Sequence, residues 1–170
     1  YTTFEYSHIS VAEEGGCIVV TADIANTGSC DGAEVVQLYV RNSKGSAFKA
    51  EKELRSFVKV YLKAGETRAV SLAFEKSDLV YWNAKRHDWV LENGTYEVCV
   101  AASAADVRLT APLHITDGED APSPYSPAVD AAYAQPPETI PDCFAELAGG
   151  PVPGAPPRKP VTLESPLRDL

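Results

Sequence analysis

Two antiparallel β-sheets packed face to face, followed by a proline-rich and mostly irregular tail, are the fold the sequence predicts. Three observations carry it: apolar residues alternating with period two, turn residues between the alternating runs, and a one-sided proline distribution. All 13 prolines of the 170 residues lie at or after Pro112. Proline removes a ladder donor, so central strands exclude it while linkers accept it. Residues 1–115 therefore read as the sheet domain and residues 116–170 as linker and tail with short helical turns.

The alternation is clearest at Ile18, Val20, Ala22 and Ile24, and again at Val36, Leu38 and Val40. Leu54 to Leu62, Val70-Leu72-Phe74 and Tyr96-Val98-Val100 supply three more runs, with Phe4 to Val11 and Val107 to Ile115 as first and last strands. Turn chemistry falls between them at Glu14-Gly15-Gly16, Asn26-Thr27-Gly28, Asp31-Gly32, Ala64-Gly65-Glu66 and Asn93-Gly94. No helical period interrupts these runs, which favours a sandwich over a parallel sheet with crossover helices. In the tail, Ser126-Pro127 is an N-cap signature for a helix over 128–134, and Gly149-Gly150 closes a second one begun near Asp142.

Composition narrows function by exclusion. A formal net charge of −9 argues against nucleic acid and against an anionic membrane surface. Apolar runs are strand-sized, too short to span a bilayer. The chain opens at Tyr1 without methionine or a secretory signal, which reads as a fragment, with a cytoplasmic location preferred. Cys17, Cys30, Cys99 and Cys143 are dispersed, with no zinc-ligand spacing; free thiols are preferred, and a Cys17–Cys99 pairing stays open. No Gly-rich phosphate loop is present, so no cofactor is expected.

Several blocks stand in one order: Tyr1-Thr2-Thr3-Phe4-Glu5-Tyr6-Ser7, Asn26-Thr27-Gly28, Gly32 through Val40 (GAEVVQLYV), Lys52 through Phe57 (KELRSF) and Leu62-Lys63-Ala64-Gly65-Glu66. Asp78-Leu79-Val80-Tyr81-Trp82 and Trp89 through Val98 (WVLENGTYEV) complete the set. Together they resemble the C-terminal fibronectin type III-like domain of family 3 glycoside hydrolases. Ser56 and Ala101 stand where that family often has glycine, and the stretch around Arg158 to Leu163 is similar to a segment that follows the domain in some members. The resemblance implies a fibronectin type III/immunoglobulin-like sandwich attached to the catalytic domains of a retaining β-glucosidase-like enzyme, with those domains of the same polypeptide as its partner.

Retaining hydrolysis needs a nucleophilic carboxylate and an acid about 5 Å apart. In the family the nucleophile lies in a Ser-Asp-Trp motif of the catalytic barrel. Here Ser77-Asp78-Leu79 opens a loop, and a turn or cap role for Asp78 is expected, so no catalytic residue is assigned. Arg86-His87-Asp88 reads as a hairpin tip, and Asn93-Gly94-Thr95, a glycosylation sequon, as a turn. The candidate contact residues, for sugar or for a neighbouring domain, are Phe48, Tyr81, Trp82 and Trp89. Trp82 and Trp89 are expected in the core; a carbohydrate-binding module would instead need them exposed and roughly coplanar. A third reading has the 42–52 loop or the Trp82–Trp89 hairpin shaping a wall of the parent's active site.

Overall fold

The computed structural model describes residues 1–42 and 44–151; Ser43 and the stretch around Arg158 to Leu163 lie outside the described residues. Residues 1–124 form one compact unit, and a second begins at Tyr125.

In the first unit, β1 (Phe4–Glu14), β2 (Cys17–Asn26) and β5 (Thr67–Glu75) make a three-stranded antiparallel sheet in the order β1-β2-β5. The second sheet runs β4-β3-β8-β9, with β3 (Gly32–Arg41), β4 (Glu53–Leu62), β8 (Gly94–Ser103) and β9 (Asp106–Ile115). A short hairpin, β6 (Tyr81–Asn83) and β7 (Asp88–Val90), is inserted between β5 and β8. This is the sandwich the alternation predicts. The alternate residues Ile18, Val20, Ala22, Ile24 of β2 and Val36, Leu38, Val40 of β3 all enter one core with Leu72, Phe74, Val98 and Val100. Pro112 is tolerated because β9 is an edge strand.

Two turns use glycine as expected: Gly15-Gly16, both at positive φ, closes the β1–β2 hairpin, and Gly65 (φ +76°) reverses the chain before β5. Asn93-Gly94 departs from expectation. It opens β8 rather than turning a hairpin, because Asn93 Oδ1 is engaged as acceptor from the Gly118 amide (2.9 Å). Residues 116–124 stay with the sandwich after β9 ends. The Glu119 amide donates to the Leu91 carbonyl (2.8 Å), and the Lys76 ammonium pairs with both Asp117 and Glu13. A Cβ at Gly118 would lie 2.6 Å from the Leu91 carbonyl oxygen, so only glycine permits this approach. All four cysteines are free; Cys17 is on the three-stranded sheet and Cys99 on the other.

The second unit holds α1 (Pro127–Ala134) and, after a one-turn 3-10 helix over Asp142–Phe144, α2 (Ala145–Ala148). Ser126 Oγ accepts from the Val129 amide (3.4 Å), Pro127 occupies the first turn, and Gly149 ends α2 at φ +66°. Helices this short are unstable alone. They are held by tilted ring contacts, Tyr133 lying 5.8 Å from Tyr125 and 5.4 Å from Phe144, and by Glu146 accepting from the Ser126 amide (3.0 Å).

At the end of the sandwich opposite the hairpin, buried Asn26 joins the two sheets. Its Nδ2 donates to the carbonyls of Cys30 (2.8 Å) and Leu62 (3.2 Å), while its Oδ1 accepts from Thr2 Oγ1 (2.5 Å) and the Gly28 amide (3.1 Å). Removing the amide strands buried carbonyls, each at a desolvation cost. Asn26→Ala is therefore expected to lower unfolding free energy by about 2–4 kcal/mol in urea titration, with an unchanged m-value.

Candidate functional site

The other end of the sandwich gathers the tight turn after β1 and three longer segments: the 42–52 loop, the chain from β5 to β8, and residues 116–124. After β5 a one-turn 3-10 helix, Lys76–Leu79, drops Leu79 into the base of the core. Asp78 caps that turn, its carboxylate accepting from the Glu75 amide (3.0 Å).

Beyond it the β6–β7 hairpin places Tyr81, Asn83 and Val90 inward and Trp82 and Trp89 outward. This corrects the expectation that both indoles are core. Trp82 is 48% and Trp89 62% exposed. The cause is phase. Asn83 is held inside by its bonds, its Oδ1 accepting from the amides of Lys85 (3.1 Å) and Arg86 (3.3 Å), and period two then turns Trp82 out. Its cross-strand partner Trp89 follows it to the same face. The two rings meet edge to face, 5.7 Å apart at 71°, so they are exposed but not coplanar. Arg86 and His87 lie in the hairpin tip as expected, with His87 at φ +50° and Arg86 paired with Glu119, while Asp88 already opens β7 opposite Asn83.

The 42–52 loop is bound to this hairpin through buried and half-buried polar atoms. Ser46 Oγ and Tyr81 Oη lie 3.0 Å apart, and Asn83 Nδ2 donates to Tyr81 Oη (3.3 Å). The Ser46 amide donates to Glu92 Oε1 at 2.6 Å, and Glu92 is itself only 8% exposed. Lys49 Nζ donates to the Leu79 carbonyl (3.0 Å) and lies 5.2 Å over the Tyr81 ring. Burial holds the Lys49 ammonium below its usual range, and the nearby Glu53 and Glu92 carboxylates oppose that shift. Phe48, between Ser46 and Lys49, is exposed. The structure thus brings Phe48, Trp82 and Trp89 to the surface of one latched end, while Tyr81 is a buried strut beneath them.

Glu92, Ser46, Lys49 and Asn83 are the residues that sequence reasoning missed. Glu92 alone offers a signal, a carboxylate between the inward Val90 and Tyr96. Four carboxylates at this end are occupied structurally: Asp78 caps, Glu92 holds Ser46, Asp117 pairs with Lys76 and Glu119 with Arg86.

Comparison with known proteins fits this architecture. Residues 34–104 match the model of the fibronectin type III-like domain. The chain is 42% identical over 121 residues to a probable beta-glucosidase M of Aspergillus niger, covering 67% of this chain and 15% of that protein. It is 36% identical over 124 residues to an exo-alpha-(1->6)-L-arabinopyranosidase of Bifidobacterium breve, covering 72% and 16%. Among solved structures, the Bifidobacterium adolescentis GH3 beta-glucosidase aligns with a TM-score of 0.65 at 37% identity, over 70% of this chain and 18% of that one. The chain carries the fibronectin type III-like domain of family 3 glycoside hydrolases. This fibronectin type III-like domain spans 15–16% of the length of the first curated relatives it matches.

Two outcomes follow. Acrylamide should quench both indoles of the domain efficiently, in contrast to what core tryptophans give; strong shielding would contradict the exposed hairpin face. Glu92→Ala should leave the core intact but release the 42–52 loop, raising the rate of tryptic cleavage after Lys44 or Lys49 about ten-fold, which corresponds to about 1.4 kcal/mol of local opening.

Proposed function

We propose that the chain is a non-catalytic accessory module of a family 3 glycoside hydrolase, β-glucosidase-like, which braces the catalytic domains of the same polypeptide. Its support is the partial coverage: relatives named as glycosidases match it with only about one sixth of their length, over a sandwich. The occupied carboxylates at the latched end point the same way, because a retaining site needs two carboxyl groups facing a substrate rather than bonded to the fold. The chain by itself is then expected to release no aryl alcohol from an aryl β-glucoside above buffer. Deleting it from the parent polypeptide should lower the parent's melting temperature and soluble yield. Turnover by the isolated chain would end this reading.

A carbohydrate-binding role is favoured by one observation, the exposure of Trp82 and Trp89. The edge-to-face rings present no common plane for a pyranose, and so bracing is the preferred reading. Oligosaccharide titration separates the two: unchanged indole fluorescence is expected, and a saturable change would favour the sugar site.

A further inference from the structure

The four-stranded sheet has apolar residues on the face turned away from the core. Val35 lies opposite Lys59, Gln37 opposite Phe57 and Ala33 opposite Tyr61, so Phe57, Lys59, Tyr61 and Val35 share that outer face. Phe57 and Tyr61 are each 67% exposed, and Val35 is exposed beside them. Further across the same face Tyr39, Cys99 and Ala101 form a small buried cluster separate from the core. Strand β8 is consequently buried at four successive positions, Val98 to Ala101. A sheet with one solvated face alternates apolar and polar residues, whereas apolar residues on both faces mark a sheet covered on both sides. Strand β4 is also a sheet edge, ten residues long and free of proline, the kind of edge that proteins cover to prevent stray pairing.

We propose that this outer face, centred on Phe57 and Tyr61, is the docking surface for a neighbouring folded domain of the same polypeptide, one presenting an apolar patch with a carboxylate opposite Lys59. The proposal rests on the accessory-module reading above and says which face does the bracing. Two observations choose the occupant. The matched relatives devote about five sixths of their length to chain outside this segment, enough for large domains beside it. Charge disfavours a second copy: Lys59 sits between Phe57 and Tyr61, with Nζ 5.2 Å from the Tyr61 ring. Two such faces apposed about a two-fold axis would bring lysine toward lysine, whereas a carboxylate-bearing neighbour satisfies it.

Hydroxyl-radical footprinting with mass-spectrometric readout tests this on the isolated chain and on the whole polypeptide that contains it. Phe57 and Tyr61 should oxidise readily in the isolated chain at every concentration and be protected about five-fold or more in the whole polypeptide, as for an interface core. If other residues are protected there while Phe57 and Tyr61 oxidise as before, docking uses another face and this proposal falls, with the accessory reading intact. If nothing in the domain is protected, the accessory reading itself falls. Protection of Phe57 and Tyr61 already in the isolated chain overturns the proposal in favour of a second copy when it depends on concentration, or of the chain's own tail when it does not.

Discussion

The central pair of the larger sheet, β3 beside β8, is the constraint on which the rest of the molecule depends. Their inner residues Val36, Leu38, Val40, Val98 and Val100 are buried against Ile18, Val20 and Ile24 of the facing sheet. At about 25 cal/mol per Å² of apolar surface, each such side chain contributes on the order of 1.5–3 kcal/mol, so the inward phase of these strands is strongly fixed. A one-residue slip would turn the whole set outward. Once that phase is set, the positions of Tyr39, Cys99 and Ala101 on the opposite face follow without further choice. Burial and the adjacent Glu97 carboxylate push the Cys99 thiol up to about 11, so it stays protonated at neutral pH and behaves as a small apolar filler.

The long strands were legible in the sequence because ten residues give five repeats of a two-residue period, and one face of β2 or β3 is unmistakably apolar. The phase of the short hairpin was not. Strands of three residues hold a single repeat, and Tyr81-Trp82 and Trp89-Val90 are apolar at both positions, so hydrophobicity alone cannot assign the phase. Buried Asn83 decides it, and its bonds to the turn it caps are visible only in three dimensions. The same reasoning explains Asn93-Gly94. The dipeptide suits a tight turn, but the returning chain at Gly118 competes for the asparagine side chain and draws it into the start of β8. Alternation supplied the sandwich and resemblance to a family its expected attachment, yet that resemblance put the tryptophans on the wrong side of the hairpin.

At the latched end, surface residues are positioned by buried and half-buried polar atoms. Glu92, Ser46, Tyr81 and Asn83 form a chain of bonds linking the 42–52 loop to the hairpin. Such networks are rigid when every member has a partner and costly when one is missing, since a stranded buried group retains its full desolvation penalty. That distinguishes this end from an ordinary flexible loop cluster. Phe48 is carried on the loop so joined, and Trp82 and Trp89 on the hairpin it is joined to.

A sandwich of this size needs only one apolar face per sheet to fold. The outer face of β3, β4 and β8 exceeds that need, and the surplus is contiguous rather than scattered. Scattered exposed apolar residues require no explanation, because much of any folded surface is apolar; Val35, Phe57 and Tyr61 instead cluster around Lys59 on two neighbouring strands, next to the buried Tyr39, Cys99 and Ala101. The aromatic end and the sheet face are separate surfaces of different character, one stiffened by buried hydrogen bonds and nearly edge-on in its rings, the other broad and pleated. Bracing requires a broad surface, since the orientation of one domain on another is fixed by area and shape complementarity more than by a few projecting rings. The pleated face has that breadth, and the physics of the central strands produces it as a by-product of keeping both sides of β8 dry.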